Sequence, residues 1–338
     1  MKALVLKSPK DFVYEERKKP ECLEDGLLVK VDAVCICGSD VGAILGKNSL
    51  FTYPRVLGHE VAGTVVEVGR NVLSFEVGDK VALMPCISCG HCRACVKGKT
   101  NCCSSLKLYG VQEDGGLAEY LAAGEENWLK VPENLSASDV AMIEPLAIGT
   151  HAVRKLDLDQ GDNVLVIGAG PIGVTVAENA RTYGANVVLA DLSSIRREFV
   201  SSRFGYKVLD PSDSTYMDTV RSLTEGQLFD AVIDTTAAKP SMENCWRYIA
   251  QGGKIVFVGV CGSVLEIDGK GFHGKEPTLF VTRNSTESDF RFVLENIVNG
   301  VFKPGAFVTH RVCFKDAGDT ILQWVDPSFG VFKGVVLF

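Results

Sequence analysis

The segment NVLVIGAGPIGVTVAENARTYGANVVLAD, residues 163–191, restricts the fold more than any other part of the chain. An apolar run, a glycine-rich turn, a helical stretch closing at Gly184 and a second apolar run ending in Asp191 read as strand, turn, helix and strand. The turn GAGPIG at 168–173 fits G-x-G-x-x-G. Gly168 permits the tight turn, Gly170 lets the backbone approach a pyrophosphate, and Gly173 lets the helix pack against the strand. Pro171 suits the first helical turn, where its missing N–H has no intrahelical partner. Gly168, Gly170, Pro171, Ile172 and Gly173 therefore form the expected coenzyme-binding turn, with free N–H groups at the helix start facing the phosphates. Asp191, 18 residues beyond Gly173, is placed to accept hydrogen bonds from the adenine-ribose hydroxyls. Its carboxylate would repel a 2′-phosphate, which favours NAD over NADP. Arg196 is expected over the adenine or at the ribose, against the alternative of a solvated helix charge.

Further apolar runs at FDAVID (229–234), KIVFVG (254–259) and TLFVT (278–282) alternate with helical stretches. This βα alternation predicts an α/β unit with a parallel, doubly wound sheet. The N-terminal part reads differently: short strands at 27–34, 61–68 and 80–84, punctuated by Gly and Pro, predict a small barrel-like β domain. A length of 338 residues suits two domains of about 150 residues each. After residue 283 come a helix-like stretch, DFRFVLENIVNG, and a closing strand, GVVLF.

With 46% hydrophobic and 23% charged residues, the chain has enough apolar material for full cores. Thirty-five Lys and Arg against 42 Asp and Glu leave a net charge of −7, which argues against nucleic acid or an anionic membrane as the main partner. No apolar run approaches the roughly 18 residues of a membrane span, and the start lacks a signal peptide's apolar region, so a cytoplasmic location is expected.

Six of the 12 cysteines crowd into residues 86–103, a stretch with little core material of its own. Cys89, Cys92, Cys95 and Cys103 form C-x2-C-x2-C-x7-C, four thiolates able to surround one Zn²⁺ and staple the lobe. Cys86, Cys89, Cys92 and Cys95 also approach a ferredoxin spacing for an iron–sulfur cluster. A second, dispersed set comprises Cys37 in CGSD, His59 and Glu60 in GHE, and Glu144 in EPLA. These are all zinc-ligand types, yet each also has an ordinary structural reading, and spacing alone does not assemble them.

The motifs CGSD, GHEVAGTV, VGDKVA, the four-cysteine lobe, DGGLAEY, EPLA, GAGPIG and VVLAD, in this order, resemble the zinc-dependent medium-chain dehydrogenase/reductase superfamily, the alcohol and sorbitol dehydrogenase group. The resemblance implies a GroES-like β-rich catalytic domain at 1–147, containing the lobe 86–104, a Rossmann NAD-binding domain at 148–282, and a return to the catalytic domain at 283–338. It implies two zinc ions per subunit and NAD. Cys37, His59 and Glu60 become catalytic zinc ligands, Glu144 lies beside or on the metal, Asp40 orients His59, and Ser39 relays the alcohol proton. Val258 and Arg283 join the coenzyme contacts. The chain departs from the family where Gly42 replaces a relay histidine and Ala147 replaces a serine. Family members assemble as homodimers or homotetramers, with TLFVT as the interface candidate.

Within the family, residues 272–290 and 109–116 look most like dehydrogenases that oxidise sugar acids such as L-galactonate or L-gulonate at C5. Sorbitol, other polyol and L-threonine dehydrogenases are the near alternatives. Arg283, Lys107 or His273 would meet a substrate carboxylate. Competing classes are a non-catalytic NAD-binding redox sensor, a zinc-ribbon nucleic-acid binder and a zinc-free quinone reductase. The joint presence of Cys37, His59 and Glu60, the acidic charge balance and the four-cysteine lobe count against them in turn.

Overall fold

The computed structural model describes all 338 residues, which divide into two compact units: Met1–Glu144 with Thr286–Phe338, and Pro145–Ser285. The first unit is built on a seven-stranded sheet ordered Trp128–Val131, Lys80–Leu83, Glu60–Val68, Gly26–Ile36, Gly334–Leu337, His310–Cys313, with Tyr120–Gly124 also paired to Gly26–Ile36. Gly26–Ile36 pairs antiparallel with three strands, so nine of its 11 residues are buried and its sequence is almost continuously apolar. Leu27, Val29, Val31 and Val34 pack with Leu4, Leu6, Leu57, Val65, Leu83 and Leu117 in one core. A smaller sheet of Asp11–Glu16, Lys2–Ser8 and Arg55–Val56 lies on the same core.

The tail belongs to this unit. Helix Glu287–Val298 opens with a capping box, in which the Thr286 backbone N–H donates to Asp289 Oδ2 at 2.9 Å, and it buries Phe290, Val293 and Ile297 on one face. The closing strand Gly334–Leu337 then fills the place beside Gly26–Ile36.

The second unit holds a six-stranded, wholly parallel sheet ordered Lys207–Leu209, Asn186–Ala190, Asn163–Ile167, Phe229–Asp234, Ile249–Phe257, Thr278–Val281. The chain starts in the middle of this sheet and winds outwards first one way, then the other. The turn after Asn163–Ile167 therefore falls at the topological switch point, where α/β sheets bind their ligands. The three-residue strand Lys207–Leu209 carries no pattern long enough to be read from sequence. No helix of the protein is long and apolar enough to cross a membrane.

Candidate active site and metal centres

Sheet register gathers the dispersed set. Cys35 pairs with Glu60 across the antiparallel strands Gly26–Ile36 and Glu60–Val68, which brings Cys37, just past one strand end, beside His59 and Glu60 at the start of the other. Glycines hold the His59 loop close: the N–H groups of Gly115, Gly116 and Leu117 donate to the carbonyls of Val56, Gly58 and Leu57 at 2.8, 2.8 and 2.9 Å. A Cβ at Gly110 or Gly115 would collide with the Gly58 carbonyl oxygen and one at Gly116 with the Val61 side chain, which explains Gly110 and both glycines of the DGG segment. Asp114 fixes the same loop by accepting from the Val56 N–H at 3.0 Å and pairing with Arg17 and Arg55.

One ligand atom each from Cys37, His59 and Glu60 lies within 4.8 Å of the others. His59 and Glu60 are buried and Cys37 is half-buried. Asp40 serves two of the three. Its Oδ2 accepts from the Cys37 N–H at 2.9 Å, capping helix Gly38–Ile44, and its Oδ1 faces His59 Nδ1 at 3.5 Å. His59 Nδ1 and Asp40 Oδ1 are both buried without a hydrogen-bond partner. A carboxylate against one imidazole nitrogen leaves the other nitrogen for a metal, so the orphaned pair and the thiolate, imidazole and carboxylate set fit a divalent ion such as zinc. Burial by itself pushes the His59 pKa down, but the Asp40 carboxylate together with Cys37 outweighs this and leaves it raised.

Glu144 is buried but does not belong to the three-residue ligand set. Burial raises its pKa to about 7, against the pull of His59 and with the repulsion of Glu60. Ser39 sits in the first turn of helix Gly38–Ile44. At Gly42, a Cβ would stand 3.2 Å from Asn48 Cβ, so the Asn48 side chain occupies the space beside the position. Cys35 is fully buried, consistent with a structural role, and burial holds its thiol pKa well above the ordinary value.

Sequence reading missed Lys333. It is 2% exposed, and its Nζ lies 2.8 Å from both Glu60 oxygens. Burial pushes its pKa down, but Glu60 together with Cys37 and Cys35 outweighs this and leaves it raised. The pair joins residues 273 positions apart, and the only sequence signal was a lysine immediately before the closing strand GVVLF.

In the lobe, the sulfurs of Cys89, Cys92, Cys95 and Cys103 lie within 4.8 Å of one another, while Cys86 is not part of the set. Backbone N–H groups already face these sulfurs: Cys89 N–H donates to Cys103 Sγ at 3.3 Å and Cys92 N–H to Cys89 Sγ at 3.4 Å. The N–H groups of Cys95 and Ser104 push the Cys92 thiol down to about 5, and that of Cys89 helps bring Cys103 down to about 7, whereas burial pushes Cys95 up to about 11. The thiolate form that metal requires is thus favoured at Cys92 and Cys103. Asn127 Nδ2 ties the lobe's entry to the sheet by donating to the Met84 and Cys86 carbonyls at 2.8 and 2.9 Å.

In the second unit, Gly168 adopts φ +102°, and a Cβ at Gly173 would collide with the Gly168 carbonyl oxygen. At Gly170, by contrast, only Arg196 Nη1, 3.9 Å from a notional Cβ, comes near, so the backbone of the turn is open to a ligand. Pro171 and Ile172 begin the helix Pro171–Thr182. Asp191 accepts from the Ala169 N–H and the Ser193 N–H, each at 2.8 Å, and Arg196 Nη1 lies 3.7 Å from its Oδ2. Val258 follows the strand Ile249–Phe257 and donates its N–H to the Asp234 carbonyl at 2.9 Å. Arg283 and His273 are exposed, and Lys107 pairs with Glu113 at 2.6 Å.

Comparison with known proteins matches these two architectures. Residues 24–133 match the family model for an alcohol dehydrogenase GroES-like domain, and residues 171–299 that for a zinc-binding dehydrogenase. The chain is 38% identical to L-galactonate-5-dehydrogenase of Escherichia coli K12, over 100% of this chain and 99% of that protein. A solved short chain alcohol dehydrogenase from Escherichia coli CFT073, complexed with cofactor NADH, superposes with a TM-score of 0.93 at 31% identity, covering 100% of this chain and 99% of that one. L-Idonate 5-dehydrogenase from Escherichia coli K-12 gives a TM-score of 0.88 at 26% identity, covering 100% and 98%.

Proposed function

Since the chain belongs to the zinc-type medium-chain alcohol dehydrogenase family, we propose that it oxidises a secondary hydroxyl of a sugar acid to a ketone with NAD⁺ as acceptor, in the manner of L-galactonate-5-dehydrogenase. The observation that carries this reading is the convergence of Cys37, His59 and Glu60 on one buried point, with Asp40 behind the imidazole. These three residues would hold the catalytic zinc, and Cys89, Cys92, Cys95 and Cys103 a structural one. Zinc supplies Lewis-acid activation of the alcohol, which favours its deprotonation near neutral pH.

The chain's own residues supply the rest. Asp40 fixes the His59 ring so that one nitrogen faces inward. Ser39 Oγ relays the substrate hydroxyl proton, and Glu144, buried and outside the ligand set, receives it on a carboxylate oxygen. With Gly42 where many relatives carry a relay histidine, proton exit falls to Glu144, water or the coenzyme ribose. Gly168, Gly170, Pro171, Ile172 and Gly173 cradle the coenzyme pyrophosphate, and Asp191 with Arg196 binds the adenosine end. Val258 and Arg283 complete the coenzyme contacts.

The edge strand Thr278–Val281 pairs on one side only and exposes Val281, which supports assembly into a homodimer or homotetramer through that edge. A screen of NAD⁺ reduction over aldonates, polyols and 3-hydroxy amino acids tests the substrate assignment. L-Galactonate or L-gulonate should give the highest kcat/KM. Turnover of sorbitol or threonine with no aldonate would sink it.

A further inference from the structure

The second unit carries a basic cavity of about 380 Å³, lined by Arg221, Arg247, Lys275 and the Trp246 indole, with apolar Met217 and Leu228 between them. Three of its lining residues are basic and none is acidic, in a chain whose net charge is −7. Leu228 immediately precedes the strand Phe229–Asp234, and Trp246 and Arg247 shortly precede Ile249–Phe257, so the cavity lies at the N-terminal ends of two parallel strands. The coenzyme turn follows the C-terminal end of the neighbouring strand Asn163–Ile167, roughly 20 Å away along the sheet. The cations of the cavity lack carboxylate partners. Arg221 meets only Asp218, at 3.5 Å between two exposed side chains, and neither Arg247 nor Lys275 forms an ion pair. Lys275 Nζ donates to the Ile249 carbonyl at 2.6 Å and the Arg247 carbonyl at 3.4 Å, which leaves its third proton without a partner. Burial pulls its pKa below the ordinary value, and no anion stands by to restore it. Arg247 Cζ and Lys275 Nζ lie 5.6 and 6.0 Å from the centre of the Trp246 ring. The indole is itself fixed, because the helix Gly269–Lys275 lies against it at Gly271, where a Cβ would collide with the ring.

We propose that this cavity is a second ligand site, separate from the coenzyme turn, for a phosphomonoester carried on a ring: Arg221, Arg247 and Lys275 hold the phosphate, and the ring packs against Trp246. Guanidinium forks match phosphate oxygens in pairs, and the half-buried ammonium adds a point charge beside them. A carboxylate, with two oxygens and one charge, would leave one of the three cations unmatched. The flat indole suits a base or the C–H face of a sugar. The volume falls in the range of small-molecule sites and leaves room for a ring next to the phosphate. A nucleoside monophosphate and a sugar monophosphate share this chemistry, and the test separates them. The inference stands apart from the reading of the metal centre.

The test uses the full-length protein without coenzyme, titrated in a calorimeter with uridine monophosphate, glucose 6-phosphate and inorganic phosphate. One or both of the ring phosphates should bind at a single site per chain, about tenfold more tightly than inorganic phosphate, the scale of one stacked ring. Preference for the first marks a nucleoside site, and preference for the second a sugar site. Arg247→Met should weaken this binding about tenfold, while affinity for NADH, read from its own fluorescence, holds. Arg247 and Arg221 are both exposed, so Arg221→Met provides a second variant that spares the core and should act in the same sense. Trp246→Leu should bring the ring phosphate down to the level of inorganic phosphate. Asp191→Asn, in the coenzyme turn, should leave the binding unchanged. Absence of saturable binding by either ring phosphate overturns the proposal, as does equal binding of inorganic phosphate. Binding that survives Arg247→Met and is lost in Asp191→Asn belongs to the coenzyme turn and overturns it too.

Discussion

The two cysteine-containing centres are built in opposite ways. The lobe takes all four sulfurs from residues 89–103, sets them on tight turns and surrounds them with backbone N–H donors. The other centre takes Cys37 from one strand end and His59 and Glu60 from another, and backs them with Asp40 and with Lys333 from the far end of the chain. A local centre needs little from the fold and can lend it stability. A composite centre exists only once the sheet has formed, and it buries charges that the fold must balance.

The largest test of this contrast exchanges the loss of one centre for loss of the other. Cys37→Ala should reduce kcat/KM about a thousandfold or more, the scale on which preorganised electrophilic groups act. Zinc should fall from two ions to one per chain, with little change in melting temperature. Cys95→Ala should do the reverse: loss of the lobe's metal, a large fall in melting temperature and rapid proteolysis within 86–104, with activity surviving at low temperature. Equal thermal losses in both variants would erase the distinction.

A composite centre buries ionisable groups that a local one leaves nearer water, and Glu144 registers that burial. Its folded-state pKa, about 7, stands above the ordinary 4.5. A carboxyl with a raised pKa binds its proton more tightly when folded. Its contribution to stability is therefore fully present below pH 4.5 and is lost as pH rises towards 7. In metal-free protein, Glu144→Gln should raise stability by roughly 3 kcal/mol at pH 8 and leave it unchanged at pH 4. Denaturant titrations at the two pH values decide this. A pH-independent difference would mean that the carboxyl ionises without penalty.

Asp40 links the composite centre to local structure, because it caps Gly38–Ile44 and faces His59 at once. Asp40→Asn keeps an acceptor for the Cys37 N–H but removes the charge behind the imidazole. Zinc affinity at this centre should fall about ten- to a hundredfold, with the lobe's zinc unaffected, as competition with a chelator would measure. Loss from both centres would show that the two are not independent.

The same contrast explains what could be read before the structure. Both fold classes, the glycine turn and the lobe were legible because each is written within a short window: GAGPIG between two apolar runs, or four cysteines within 15 residues. Cys37, His59 and Glu60 were identified by resemblance, since no spacing rule joins residues on different strands. Lys333 was invisible by either route. Its role follows from the register of Gly334 with Ile36, and pairing between strands 298 residues apart leaves no mark in a sequence window. The Glu144 position relative to the ligand set is likewise a matter of angles and distances, not of residue type.

Asp191 tests whether the coenzyme turn behaves as a local device like the lobe. Its two oxygens are already engaged by the N–H groups of Ala169 and Ser193, so the carboxylate is held rigidly by short-range contacts before any coenzyme arrives. Asp191→Asn retains one acceptor oxygen and the side-chain volume but loses the charge. The KM for NAD⁺ should rise about tenfold, the worth of one charge-assisted hydrogen bond, while kcat at saturating coenzyme stays close to wild type. Discrimination against NADP⁺ should shrink by a similar factor, because the repulsion of a 2′-phosphate goes with the charge. If kcat fell as far as affinity, the turn would be coupled to the composite centre and could not be called local.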